Sequence, residues 1–409
     1  MEKNLLRTTI LLLSFVVAIP AAKAQKNQTQ TDTILQLNTI TTAVPFLLIA
    51  PDSRGGGMGD IGVASSPDAN SIHWNPAKLA FIQDDLGFSM SVTPWLRNLV
   101  PDINLYYLSG YRKLGNNPTL GASLRYFSLG DITFTDNTGN VIGQYKPHEF
   151  AVDVAYARKL CEETSAGLAL RDIYSNLTVG IHVQNAESKA GTSVATDISV
   201  YYEKEIELGK KDAIMAFGTN ISNIGAKMSY TETGNKNFIP INWRLGGSTR
   251  INLDEFNQLG ILLDFNKLLV PTPPVYAKDA QGNPIIDPNG NPVISHGKDP
   301  DVPVVAGMFQ SFGDAPGGFK EEVREINISL GLEYWYDQQF AFRTGYFYEH
   351  ASKGNRKFFT LGAGLKYNVF GLNFAYLIPT EQTNPLEGTI RFSLLFNWVK
   401  GAKATTPAE

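Results

Sequence analysis

"GTIRFSLLFNW", Gly388 to Trp398, alternates without a break. Ile390, Phe392, Leu394, Phe396 and Trp398 fall on one side of an extended chain, and Thr389, Arg391, Ser393, Leu395 and Asn397 on the other. "INISLGLEYWY" (326–336) repeats the pattern: Ile326, Ile328, Leu330, Leu332, Tyr334 and Tyr336 oppose Asn327, Ser329, Gly331 and Glu333. "TLGAGLKY" (360–367) sets Leu361, Ala363, Leu365 and Tyr367 against Thr360, Gly362, Gly364 and Lys366. A soluble sheet buries such an apolar face. A barrel in a membrane turns it out to lipid, keeps the polar face in the lumen and places aromatic residues at the interfaces. Run length separates the two: most runs match the ~9–11 residues of a tilted membrane-crossing strand rather than the ~5–6 of an ordinary strand.

Fourteen such segments are expected, near 86–93, 102–112, 119–129, 148–159, 164–174, 192–204, 212–222, 241–251, 256–266, 324–336, 340–350, 357–367, 370–378 and 388–398. Connections after even-numbered segments are short, as in "LCEE", "NLDE" and "YDQQ". Those after odd-numbered segments are often long, and the ninth is followed by a loop from Lys267 to Glu322. Outer-membrane barrels combine an even strand number, short periplasmic turns and longer external loops. The sequence therefore predicts an all-β, 14-stranded antiparallel transmembrane β-barrel over 86–398.

The ends and the composition agree. "MEKNLLRTTILLLSFVVAIPAAKAQ" has Lys3 and Arg7, then an apolar run from Thr8 to Ile19, then Ala22-Lys23-Ala24. This is the pattern of a Sec-type signal peptide over 1–24, with cleavage expected before Gln25 and export to the outer membrane. The single Cys161 excludes an internal disulfide framework. A net charge of -4 excludes a broad basic nucleic-acid surface. Aromatic residues make up 11% of the chain, with 37 glycines, a mixture suited to exported β-structure. After the last strand a tail, 399–409, continues past Trp398.

"GMGDIG", Gly57 to Gly62, matches the dinucleotide fingerprint G-x-G-x-x-G, behind the apolar run "VPFLLIA" (44–50) and with Asp84 at about a ribose distance. That fingerprint requires a helix to follow, and Pro67 and Pro76 interrupt the next segment. A different role fits better. Residues 25–85 precede the barrel and are expected on its periplasmic side, and a lumen of fourteen strands must hold water or a plug. A glycine-rich segment with close backbone approaches suits a plug.

"SRGGGMGDIGVASSPDANSIHWNPAKLA" (53–80) resembles the N-terminal hatch of the FadL family of outer-membrane barrels. The resemblance rests on Gly57-Met58-Gly59, on Asp68-Ala69 and on the closing Trp74-Asn75-Pro76-Ala77. It implies a fourteen-stranded barrel with a hatch in or under the lumen. Within that superfamily, "LNTITTAVPFLLIAPDSRGGGMGDIGVA", "HWNPAKLAF" and "SVTPWLRNLVPDINLYYLSGYRKL" resemble the PorV (LptO) family of the type IX secretion system. That likeness implies a non-enzymatic outer-membrane protein. Its implied partners are the type IX translocon channel, the C-terminal signal domains of secreted cargo and the attachment complex containing the PorU sortase, besides outer-membrane lipid. The alternative is a FadL-type transporter of hydrophobic small molecules.

No catalytic, cofactor or metal site is expected. His73, His148, His182, His296 and His350 show no ligand spacing. "DPNGN" (287–291) lacks the bidentate Glu of a calcium loop and reads as a β-turn. Arg125, Asp153, Arg244, Asp264, Glu333, Arg343 and Arg391 fall on lumen-facing positions and are expected to form an ion-pair network holding the hatch. "GNPII" and "GNPVI" in the long loop read as two turns of a small hairpin. The loop's Val270, Val275, Tyr276, Ile285, Ile286, Val293 and Ile294 are the candidate partner-binding residues.

Overall fold

The computed structural model describes residues 37–398, apart from 98–99, 101, 116, 136–137, 178–181, 184–185, 232–235 and 382–385. The expected signal peptide, the cleavage before Gln25 and the tail 399–409 lie outside the described residues.

Fourteen antiparallel strands close into one barrel. They are β1 (Leu86–Pro94), β2 (Asn104–Lys113), β3 (Thr119–Ser128), β4 (His148–Lys159), β5 (Thr164–Asn176), β6 (Gly191–Leu208), β7 (Lys211–Gly225), β8 (Asn242–Asn252), β9 (Asn257–Leu268), β10 (Asn327–Tyr336), β11 (Phe340–Tyr348), β12 (Lys357–Tyr367), β13 (Phe370–Pro379) and β14 (Ile390–Trp398). Each pairs with its sequence neighbour, and β1 closes on β14 with Leu86 opposite Trp398 and Ser91 opposite Ser393. Closure leaves no free sheet edge, as backbone in lipid requires.

Alternation sorts the side chains as expected. On β14, Arg391 and Ser393 are buried inside, while Phe392 and Trp398 are exposed outside. On β10, Ser329 and Glu333 point in and Leu330 and Leu332 point out. Rings meet across the outer wall at both ends. Tyr106, Tyr126, His148 and Tyr174 follow one another at the long-loop end, with centroids about 6 Å apart. Phe88, Phe396, Trp398 and Phe370 cluster at the short-turn end. These are the two aromatic girdles of a membrane barrel.

The connections alternate as predicted. Those at one end are tight, for example 209–210 between β6 and β7 and 337–339 between β10 and β11; the opposite end carries 129–147, 226–241 and 269–326. One irregularity was not legible beforehand: the β6–β7 register shifts between Thr196 and Ile198, where Ser222 and Asn223 of β7 together oppose Asp197, a bulge on β7 with Asn223 at φ +62°.

Candidate functional site

The lumen is filled by the chain ahead of β1. Its first described residues are at the long-loop end: Asn38 donates its N–H to the Ser352 carbonyl, and its amide to Pro273 O and Glu321. This corrects the expectation that the whole segment stays on the short-turn side. The segment instead runs the length of the barrel. Ala43, Val44, Phe46 and Leu47 join Phe127, Phe238, Ile239, Leu269 and Val270 in an apolar cluster at the long-loop end. Ala77 and residues 79–82 join Tyr111, Ala155, Ala157 and Tyr201 before the chain enters β1.

Most of the path is irregular, so its backbone groups need partners other than each other. The wall supplies them. Asp264 of β9 accepts the N–H groups of Gly62 and Val63 at 2.9 and 3.0 Å. Thr360 of β12 accepts from Gly59, and Ser393 of β14 from Ser53. Ser248 of β8 donates to Ala64 O, Asn220 of β7 to Trp74 O and Ser165 of β5 to Ala77 O. Arg125 of β3 caps the Pro45–Leu48 turn through the carbonyls of Phe46 and Leu47 and touches His73 Nδ1 at 2.7 Å.

Charges pin the segment at the opposite wall. Arg54 forks onto both oxygens of Glu333 at 2.9 and 2.8 Å and also reaches Asp68. Arg343 bonds the same Glu333 at 2.8 Å, so one carboxylate joins two guanidiniums. Arg391 pairs with Asp60. A second cluster lies in the wall itself, where Arg171 joins Asp153 and Asp197. Of the lumen charges read from the sequence, Asp264, Glu333 and Arg391 bond the segment, and Arg343 backs Glu333 from the wall. Arg125 serves carbonyls rather than a carboxylate, and Arg244 lies over the Trp74 ring. Asp153 belongs to the wall cluster. Arg54, Asp60, Arg171 and Asp197 were missed. For Arg54 and Asp60 the available signal was a charge inside a glycine-rich segment bound for a lumen, which requires an opposite charge on a polar strand face.

The expected motif residues come together. Trp74 donates its indole N–H to Asp52 at 2.7 Å, and its ring fills the space that Gly55 and Gly62 leave: a Cβ on either would come within 2.5 Å of it. Asn75 donates to Val63 O and Val200 O and accepts from Ala77 N–H. Pro76 and Ala77 press against Gly167 of β5. Met58 is fully buried with Ile61 and Leu262. It lies where a Cβ on Gly345 would come within 2.0 Å of its carbonyl carbon. Gly59 takes φ +83°. Gly57 approaches Gly362, and Asp68 faces Arg54. "GMGDIG" leads into no helix, and its Gly62 N–H is already held by a carboxylate, an arrangement opposed to phosphate binding.

The loop after β9 is ordered. Val275–Tyr276 pairs with Ile294–His296, and bridges at Lys278–Pro284 and Ile286–Pro292 extend it to a three-stranded ribbon. Its two turns are closed by Asp279 and Asp287, whose carboxylates accept backbone N–H groups. Tyr276, Ile285, Ile286 and Val293 are exposed, and Val275 and Ile294 half-buried. Val270 is 2% exposed in the cluster at the barrel mouth, so it leaves the candidate partner set: burial against Phe238 and Ile239 removes it from any outer surface. Among the described residues no group of three or more His, Cys, Asp or Glu is placed to hold a metal ion.

A family model described as "Type IX secretion system protein PorV" matches residues 32–275, more than half of the chain. The chain belongs to the PorV family. It is an outer-membrane β-barrel component of the type IX secretion system. No curated protein matches it. Among solved structures it is similar to the toluene transporter TbuX of Ralstonia pickettii (11% identity, covering 86% of this chain and 100% of that one, TM-score 0.45). It is also similar to the CymD monoaromatic hydrocarbon channel (15%, 86% and 98%, 0.46) and to a Pseudomonas aeruginosa FadL homologue (10%, 88% and 99%, 0.42).

Proposed function

We propose that this PorV-family barrel is a non-enzymatic carrier. It receives the C-terminal signal domain of secreted cargo at the type IX translocon channel and passes it to the cell-surface attachment complex containing the PorU sortase. The observation that carries this reading is the ordered ribbon of residues 275–296 above a plugged barrel. Four large apolar side chains, Tyr276, Ile285, Ile286 and Val293, are exposed on it. Exposed apolar clusters on a structured loop mark partner sites, and prolines at 284 and 292 limit uncontrolled strand pairing.

Transport of hydrophobic small molecules is the weaker reading. An apolar solute crossing the lumen would have to pass Arg54, Glu333, Arg343 and the Arg171 cluster, all buried and mutually bonded. Charged pairs separated in a dry interior cost several kcal/mol, on the order of 3–5.

Deleting Ala280 to Asp299 is expected to leave an assembled barrel and to lower recovery of a cargo signal domain in a pull-down. Ile285→Ser combined with Ile286→Ser should act in the same direction with the ribbon still present. Undiminished recovery in both would move cargo binding to the loops 129–147 and 226–241.

A further inference from the structure

The same loop contains a second apolar surface, which the carrier reading does not use. Two short helices, Val304–Gln310 and Phe319–Arg324, lie between the ribbon and β10. Their inward sides are satisfied. Gly307 sits on Phe238 and Pro271, and Val304 and Met308 pack against the apolar cluster at the mouth. Glu322 and Glu325 are buried on Lys267. Their outward sides carry Val305 and Phe309, followed by Phe312, and then Phe319 and Val323, spaced i, i+4, i+7 and i, i+4. These five are 62%, 76%, 51%, 84% and 50% exposed. A helix facing water would carry its polar residues there.

Their position in the fold says what covers them. Phe312 meets the Trp243 ring edge-on at 6.0 Å. Trp243 stands on the lipid-facing side of β8, in alternation with the exposed Leu245, at the long-loop end of the strand. Lys267, 5.9 Å from the Phe312 ring, shares the outward parity of Phe265 on β9. The second helix leads directly into Ile328, the first lipid-facing side chain of β10. The loop thus folds outward over the rim of β8 to β10. Its apolar face continues the lipid-facing wall, where Phe217, Leu245, Ile261, Leu263 and Phe265 surround a shallow groove left open at Gly247.

We propose that these two helices lie in the outer-leaflet interface of the membrane, with Phe309, Phe312 and Phe319 inserted among lipid acyl chains. They would anchor the long loop at one side of the barrel and so fix where the ribbon stands. Interfacial helices of this kind bury their apolar face about 5–10 Å into the headgroup and acyl boundary. The proposal depends on the barrel and its lipid-facing band, not on cargo.

The test uses full-length protein, Cys161→Ser in background, reconstituted in phosphatidylcholine vesicles. Phe309→Cys and, separately, Phe319→Cys carry a bimane label, with Ile285→Cys on the ribbon as the aqueous reference. Heat-modifiable migration confirms that each variant is assembled. Emission from the two helix positions is expected to fall by about half in vesicles with brominated acyl chains and to be nearly insensitive to iodide. The ribbon label should behave in the opposite way. Iodide quenching at both helix positions without quenching by brominated lipid would overturn the proposal and leave a protein partner as the occupant.

Discussion

Asn75 is held from three sides, by Val63 O, Val200 O and the Ala77 N–H. It precedes Pro76, which has no N–H to offer, so its side chain closes the turn that the backbone cannot. Asn75→Ala removes the side-chain bonds to Val63 O and Val200 O, at a cost of about 1–3 kcal/mol. The Ala77 N–H keeps Ser199 as a partner. The folded band should still form and should convert to the unfolded band at a lower temperature on a heat-modifiability gel. Failure to form the folded band at all would mean that the strands require the hatch. The Trp-Asn-Pro-Ala stretch was legible through its resemblance to the closing motif of the FadL-family hatch. Its partners were not, since Val200 is 125 positions away.

At the level of elements, strands and loops differ in how much the sequence reveals. A strand between lipid and lumen repeats its environment every two residues, so β10, β12 and β14 could be read to within a few residues. The bulge of β7 opposite Asp197 could not, because it answers to contacts between strands: the Asn223 N–H bonds Asp197, which also holds Arg171 of β5. The long loop was legible in its turns, where Asn-Pro and Asp-rich stretches have local chemistry, but not in which of its apolar residues turn inward. Its base also contains a titrating group. Burial, with the nearby charges of Glu322 and Glu325, pushes the Asp314 carboxyl up to about 6, against the lowering bond from the Thr272 N–H. A raised carboxyl binds its proton more tightly in the folded loop. The stability it contributes is present below about pH 4 and is lost as the pH rises through about 6. Limited proteolysis within 311–325 should therefore be faster at pH 7 than at pH 5, after correction for the protease's own profile. Asp314→Asn should flatten that difference while keeping the bond to Thr272.

For the whole molecule, the sorting of loop lengths sets the orientation. The native Cys161 is exposed in the short turn between β4 and β5, and Asn289 lies in the ribbon at the other end. Asn289→Cys in a Cys161→Ser background should react with a membrane-impermeant maleimide on intact cells. The native Cys161 should react only after the outer membrane is permeabilised. Equal labelling of both on intact cells would remove the topology.

The barrel, its strand count and its two faces were determined by the sequence alone, because a period of two is a local response to two solvents. The hatch was recognisable as a glycine-rich segment with no helix to follow. Its path and its anchors were decided only by closure of the barrel. Arg54 and Glu333 are 279 positions apart, and Ser53 and Ser393 are 340 apart. No local pattern pairs such residues. They meet because the first and last strands close a ring around the chain that precedes them, and because each buried charge and unbonded N–H in that chain must find a partner on the wall.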